Sequence, residues 1–201
     1  MELRDALAQI ADIRQQIAQT QLFRGYRSAT TAFSGVVAIA AAGAQQLWIS
    51  DPYAQADRYL GLWLAAAVVS LVVVGSEIVI RCRRSESPLQ REISLLAVEQ
   101  FVPCLVAGGL VTYVIRSFAW ESLWMLPGLW LIFFAMGIFA SRRLLPRPIV
   151  LVAAFYLLAG VVVLALQESA GLSPWTMALT FGPGQLFAAV LLYWTLERRY
   201  E

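Results

Sequence analysis

Six long runs of apolar residues constrain the fold of this chain more than any other feature of its sequence. The runs cover approximately residues 30–49, 60–80, 94–115, 123–140, 149–166 and 175–195. Each is close to the ~20 residues that a helix needs to cross the hydrocarbon core of a bilayer. Because lipid offers no hydrogen-bond partner to backbone groups, such segments must be helical. The sequence therefore predicts an all-α membrane protein with six transmembrane helices.

The composition agrees with this prediction and excludes several kinds of active site. The chain is 60% hydrophobic and 14% charged, whereas soluble domains are about 45–50% apolar and about 25% charged. Histidine is absent and all 15 basic residues are arginine, which removes the usual general base and the Schiff-base amine. No metalloprotease, P-loop or serine-nucleophile motif occurs. We expect a protein that is not an enzyme and has no metal site or cofactor, with Cys82 and Cys104 as small apolar residues.

The distribution of arginine predicts the orientation of the six helices. Four arginines precede the first run, four lie between the second and third, three between the fourth and fifth, and two follow the sixth. The connections on the other side hold only Arg58 and Arg116. Because positively charged loops stay in the cytoplasm, both termini are predicted to be cytoplasmic. The first 29 residues are too polar to supply the apolar core of a cleavable signal peptide.

The segment before the first run forms a separate unit, so the predicted division is residues 1–29 and residues 30–201. Within it, residues 3–23 carry apolar side chains at helical spacing and read as an amphipathic helix. This helix either lies on the inner membrane surface or over the ends of the spans, or it docks a cytoplasmic protein or a second copy. Its charges are mixed in sign, so the pattern does not suggest binding to nucleic acid.

Two carboxylates, Glu77 and Glu99, fall inside the apolar runs. An ionised group at the bilayer centre costs about 2.5–3.5 kcal/mol on insertion scales, so it usually faces a partner, a cavity or a pathway. Glu77 lies four residues before Arg81 on the same helix face, and a structural ion pair is one interpretation. The two carboxylates are predicted to lie at similar depth on neighbouring antiparallel helices. If they face each other, one of them should hold a proton at neutral pH.

Glu99 has an amide side chain and a proline close to it in the sequence. Gln100 follows it directly, and Pro103 removes the backbone bond to the Glu99 carbonyl. One position thus offers a carboxylate, an amide and a free carbonyl, which together could hold a proton, a water molecule or a cation. The alternative is a kinked helix whose polar groups bond a neighbouring helix.

The last run contains a second interruption, Gly182-Pro183-Gly184-Gln185. Gly/Pro-interrupted spans are one indicator of transporter binding sites. The alternative is close helix packing through the small-residue pairs Ala178/Gly182 and Gly184/Ala188.

Four stretches of the chain carry a resemblance to a family. They are Ala97-Val98-Glu99-Gln100-Phe101 with Pro103, residues 124–130 (WMLPGLW), residues 145–148 (LPRP) and residues 181–185 (FGPGQ). Together they resemble an uncharacterised family of bacterial six-span inner-membrane proteins of about this length, over most of the chain. The resemblance implies a bacterial cytoplasmic membrane, and it brings no activity and no functional residue.

Two hypotheses about function follow. In the first, the protein is a transporter or channel-like protein for protons, cations or a small polar solute. Its substrate or ion site would comprise Glu99, Gln100, Glu77 and Gln185, with Pro103 and Pro183 as hinges. In the second, it is a non-transporting sensor or scaffold that docks a partner through its N-terminal helix. Because six short spans enclose only a slender pore in one copy, a homodimer fits either hypothesis.

Overall fold

The computed structural model describes residues 28–84 and 88–198, and this part of the chain is helical with no β-strand. The amphipathic helix predicted over residues 3–23 lies outside the described residues. The long helices are α1 (Ser28–Trp48), α2 (Ala56–Arg84), α3 (Pro88–Phe118), α4 (Leu126–Ala140) and α5 (Ile149–Ala165), followed by a short α6 (Glu168–Gly171) and a long α7 (Pro174–Leu192). Short 3-10 helices flank α4 at Trp120–Met125 and Ser141–Arg143, and a π-helical turn at Tyr193–Glu197 extends α7. The all-α prediction is therefore confirmed for the described residues.

Among the described residues, four helical segments are long and apolar enough to cross a membrane: Ala56–Arg84, Arg91–Phe118, Trp120–Arg143 and Pro174–Thr195. α5 is apolar but has 17 residues, and α1, with 21 residues, is not among these four segments. Several apolar helices of this kind fit a polytopic membrane protein. The count of six spans remains a prediction.

The core of the bundle forms where α1 packs on α7 and where α4 packs on α3 and α5. Glycine residues allow these helices to pack closely against one another. A Cβ atom on Gly182 would lie 2.8 Å from the Ile39 side chain of α1, and one on Gly184 would lie 2.5 Å from the Tyr156 ring of α5. The two glycines that flank Pro183 thus allow close contact with two different helices, α1 and α5. This is the packing role that the sequence offers as the alternative to a transport site.

α2 and α3 lie at the edge of the bundle. In their most apolar stretches only 11% and 17% of the residues are buried, against 44% in each of the other two segments that could cross a membrane. The buried residues of α2 are confined to its first two turns, from Ala56 to Trp63. Most of the apolar surface of these two helices is therefore left for lipid or for another protein.

An ion pair marks the register of α2 against α3. Arg116 donates from Nε to Asp57 Oδ1 at 2.8 Å and from Nη2 to Asp57 Oδ2 at 3.1 Å. Twenty residues along α2 from Asp57 is Glu77, and twenty residues back along α3 from Arg116 is Leu96. Since the two helices are antiparallel, Glu77 and Leu96 lie at about the same level.

Removing this ion pair should change stability only slightly. The Asp57 side chain is 79% exposed, and exposed ion pairs contribute about 0–1 kcal/mol. Asp57→Asn should therefore lower the free energy of unfolding in detergent by less than about 1 kcal/mol. A loss of several kcal/mol would mean that the pair, rather than helix packing, holds α2 in place.

Candidate functional site at the arginine-rich end

One end of the described bundle is rich in arginine, and the predicted site on α2 and α3 lies near this end. Ile93 and Ala97 of α3 form a small apolar cluster with Ile78 of α2 and with Leu144 and Leu145, which follow α4. The Ser141 hydroxyl donates to the Ala97 carbonyl at 3.1 Å. Three consecutive helices therefore meet at one level, close to the last turn of α4.

Glu77 is half-buried at this level and is paired within its own helix. Arg81 Nε donates to Glu77 Oε1 at 3.2 Å, and the Glu77 side chain is 16% exposed. This geometry is the i, i+4 ion pair that the sequence offers as one interpretation of Glu77.

Glu99 and Gln100 lie on the exposed surface of α3. Glu99 is two residues from Ala97, a rotation of about 200° around a helix, so it lies on the face opposite the apolar cluster. Along the axis it is three residues, or about 4.5 Å, from the level of Glu77. The two carboxylates thus lie within about one helical turn of the same level of the bundle, but the face of α3 that carries Glu99 is turned away from the cluster that contains Ile78. Glu99 forms no hydrogen bond or ion pair with any of the described residues.

Gln185 lies elsewhere in the bundle. Its side chain is 6% exposed, and its Cβ would lie 3.1 Å from a Cβ added to Gly35 of α1. Gln185 therefore faces the α1–α7 contact, whereas Glu99 and Gln100 face away from the bundle. Within residues 28–84 and 88–198 its amide has no hydrogen-bond partner.

The two prolines predicted as hinges occur inside helices that continue past them. α3 runs unbroken through Pro103 and α7 through Pro183. Both prolines lie on exposed faces. Their role as hinges remains a prediction.

An aromatic cluster, which the sequence patterns do not single out, fills the space between α3, α4, α5 and α7. The ring of Phe134 lies 5.3 Å from Phe101, 5.0 Å from Tyr156 and 5.1 Å from Phe181, all near edge-to-face. Tyr156 also donates its hydroxyl to the Phe181 carbonyl at 3.2 Å. Edge-to-face rings of this kind add about 0.5–1.5 kcal/mol per pair beyond burial. The middle of this part of the bundle is therefore packed with rings rather than lined with polar groups.

At the opposite end, a buried amide joins three segments. Gln45 of α1 is 1% exposed, donates to the Leu172 carbonyl at 2.8 Å and accepts from Trp63 Nε1 at 2.8 Å. Both bonds cross between elements, so this network has the character of a structural clamp. Nothing in the sequence pattern distinguishes Gln45 from its exposed neighbour Gln46.

A tyrosine in the α1–α2 connection lies near the same end. Burial raises the pKa of Tyr53, and the nearby carboxylate of Glu168 raises it further. Both effects disfavour the phenolate. Tyr53 therefore remains neutral through the physiological pH range.

No group of three His, Cys, Asp or Glu residues able to hold a metal ion occurs among the described residues. Comparison with known proteins gives no family model, no curated protein and no solved structure that matches this chain.

Proposed function

We propose that this protein is a non-transporting membrane scaffold that forms a homodimer through the outer faces of α2 and α3. The observation that carries the proposal is the position of Glu99 and Gln100 on a helix face that is exposed in the described part of the chain. Acyl chains can cover apolar side chains as well as a protein can, but they cannot pair with a carboxylate or an amide. A second copy would supply polar partners and bury the face.

The tightly packed centre of this part of the bundle favours a scaffold function over a transport function. A path between the two ends through α3, α4, α5 and α7 would have to pass the cluster of Phe101, Phe134, Tyr156 and Phe181. The charged groups of α2 and α3 lie near one end and at the surface instead. In this proposal the protein lies in a bacterial cytoplasmic membrane with both termini inside, and residues 3–23 dock a cytoplasmic partner.

Cysteine cross-linking tests the dimer. In a variant with Cys82 and Cys104 replaced by alanine, a cysteine is introduced at Val106 on the outer face of α3. Val162 of α5 is the matched control, because the two side chains are 53% and 54% exposed. We expect oxidation in native membranes to give a covalent dimer for Val106→Cys and none for Val162→Cys. Equal cross-linking at both positions, or at neither, would contradict a dimer through this face.

Transport remains a second candidate because of Gln185. The Gln185 side chain is only 6% exposed, yet its amide finds no partner among the described residues, and the same helix contains Pro183. A water molecule or a polar solute would satisfy it.

Flux measurements separate the two functions. Proteoliposomes with an imposed pH or potassium gradient should show no flux above protein-free vesicles if the protein is a scaffold. A flux that disappears in Glu99→Gln or Gln185→Leu, in protein that keeps its helical content, would overturn the scaffold in favour of transport.

A further inference from the structure

Six exposed arginines at one end of the molecule have no acidic partner among the described residues. They are Arg83, Arg84, Arg91, Arg142, Arg143 and Arg147, which we call the arginine rim. The other arginines in the described part are engaged. Arg81 and Arg116 form ion pairs, Arg58 donates to Gln55, and Arg198 stacks 4.0 Å from the Trp194 ring centroid. The rim is thus distinguished by six arginines that have no side-chain partner of any kind among the described residues, and not merely by its composition.

The packing of the helices brings the rim residues to a common level. Ile78, five residues before Arg83, shares one apolar cluster with Ile93, two residues after Arg91, and with Leu144, one residue after Arg143. The Ser141–Ala97 hydrogen bond fixes the end of α4 against α3 at the same height. The guanidinium groups of three different segments therefore surround one end of α2, α3 and α4.

We propose that the arginine rim binds the phosphate group of an anionic glycerophospholipid. A guanidinium presents two parallel N–H donors that match two phosphate oxygens, which an ammonium cannot do. Every basic residue in the chain is arginine. Clusters of basic residues that border transmembrane helices are a known recognition surface for anionic lipid headgroups.

The surface beside the rim favours a lipid over a soluble anion. Val79 and Ile80 of α2 and Leu95 and Leu96 of α3 are all exposed within five residues of a rim arginine. A bound phospholipid would lay its acyl chains on those of these side chains that a second copy leaves uncovered, while the rim holds its phosphate. Inorganic phosphate would leave them uncovered.

The described carboxylates near the rim do not neutralise it. Glu77 is paired with Arg81, and the exposed carboxylates Glu92 and Glu99 lie seven residues apart on the outer face of α3. Within the described residues, six guanidinium groups thus face two exposed carboxylates at this end.

Native mass spectrometry of the purified full chain tests the proposal. The protein is exchanged into detergent containing equal amounts of phosphatidylglycerol and phosphatidylcholine, and the bound lipids are counted. Since each arginine near a lipid surface contributes about 1 kcal/mol, or about fivefold in affinity, Arg142→Gln/Arg143→Gln/Arg147→Gln should lower the phosphatidylglycerol preference by about 100-fold. Arg58→Gln, at the other end, should leave the preference unchanged.

Two further arms make the result decisive. The triple variant Arg142→Lys/Arg143→Lys/Arg147→Lys keeps the positive charge but loses the two parallel N–H donors of each guanidinium. We therefore expect a preference for phosphatidylglycerol between those of the wild type and the triple glutamine variant. Millimolar phosphate at constant ionic strength should not displace the lipid. The proposal is overturned if the wild type shows no preference for the anionic lipid, if the triple glutamine variant retains it, or if phosphate displaces the lipid fully.

Discussion

Gly160→Leu should cause one of the largest losses of stability available to a single substitution in this chain. The α4–α5 contact brings two glycines face to face: a Cβ on Gly160 would lie 2.8 Å from the Gly128 carbonyl oxygen, and one on Gly128 would lie 3.0 Å from the Gly160 carbonyl oxygen. Because these atoms belong to the backbone, no side-chain rotation can relieve the overlap. Overpacking a well-packed core usually costs about 1–3 kcal/mol, and leucine at a backbone contact should exceed that range.

Gly160→Ala keeps this prediction measurable if the leucine variant does not fold. It should lower the free energy of unfolding by about 1–3 kcal/mol in a detergent titration followed by circular dichroism. Gly109→Ala is the matched control, because a Cβ on Gly109 of α3 meets nothing within 4 Å. Replacing that glycine inside a helix should stabilise by about 0.5–1 kcal/mol. If Gly160→Ala had as little effect on stability as Gly109→Ala, Gly128 and Gly160 would not be in backbone contact between α4 and α5.

The helices were predictable from the sequence because their signal is local. A run of about 20 apolar residues specifies a helix in lipid whatever it packs against. The apolar runs are shorter than the helices at the edge of the bundle. The sequence predicts α3 over residues 94–115, whereas the helix extends over Pro88–Phe118. An apolar run shows only the part of a helix that lipid can cover. The helix itself continues beyond the run, into polar turns at the arginine-rich end.

The direction of each polar side chain was not predictable in the same way. Residue spacing places Glu77 beside Arg81, and the structure has that bond. It also places Glu99 and Glu77 at similar depth, in agreement with the register of α2 on α3. Which face of α3 turns inward, however, depends on the long-range contacts of Ile93 and Ala97. Spacing along one helix contains no information about such contacts, so the exposed position of Glu99 could only come from the fold.

The aromatic cluster was missed for a related reason. Phe101, Phe134, Tyr156 and Phe181 come from four different runs, and in each run an aromatic residue is as compatible with lipid as with a core. Their convergence is a property of how the helices pack. It also changes the functional interpretation, because rings occupy the space that a transport path through these helices would need.

The second prediction concerns the buried amide at the opposite end. Gln45→Leu should destabilise the protein by about 2–6 kcal/mol, because it leaves both the Trp63 indole N–H and the Leu172 carbonyl buried without a partner, and each such group costs about 1–3 kcal/mol. Gln46→Leu is the control: it is the same substitution one residue along α1, at an exposed position with no bond in the described structure. It should be close to neutral.

A double-mutant cycle separates this clamp from a simple change in packing. Trp63→Phe alone leaves the Gln45 carbonyl oxygen unsatisfied, whereas Gln45→Leu combined with Trp63→Phe removes donor and acceptor together. Since removing both partners of a buried bond is less damaging than removing one, the double variant should be more stable than the sum of the single losses predicts, by about 0.5–3 kcal/mol. Strict additivity in thermal or denaturant unfolding would show that the two side chains do not interact. In that case α1 and α2 would be held together at this end by apolar contacts alone.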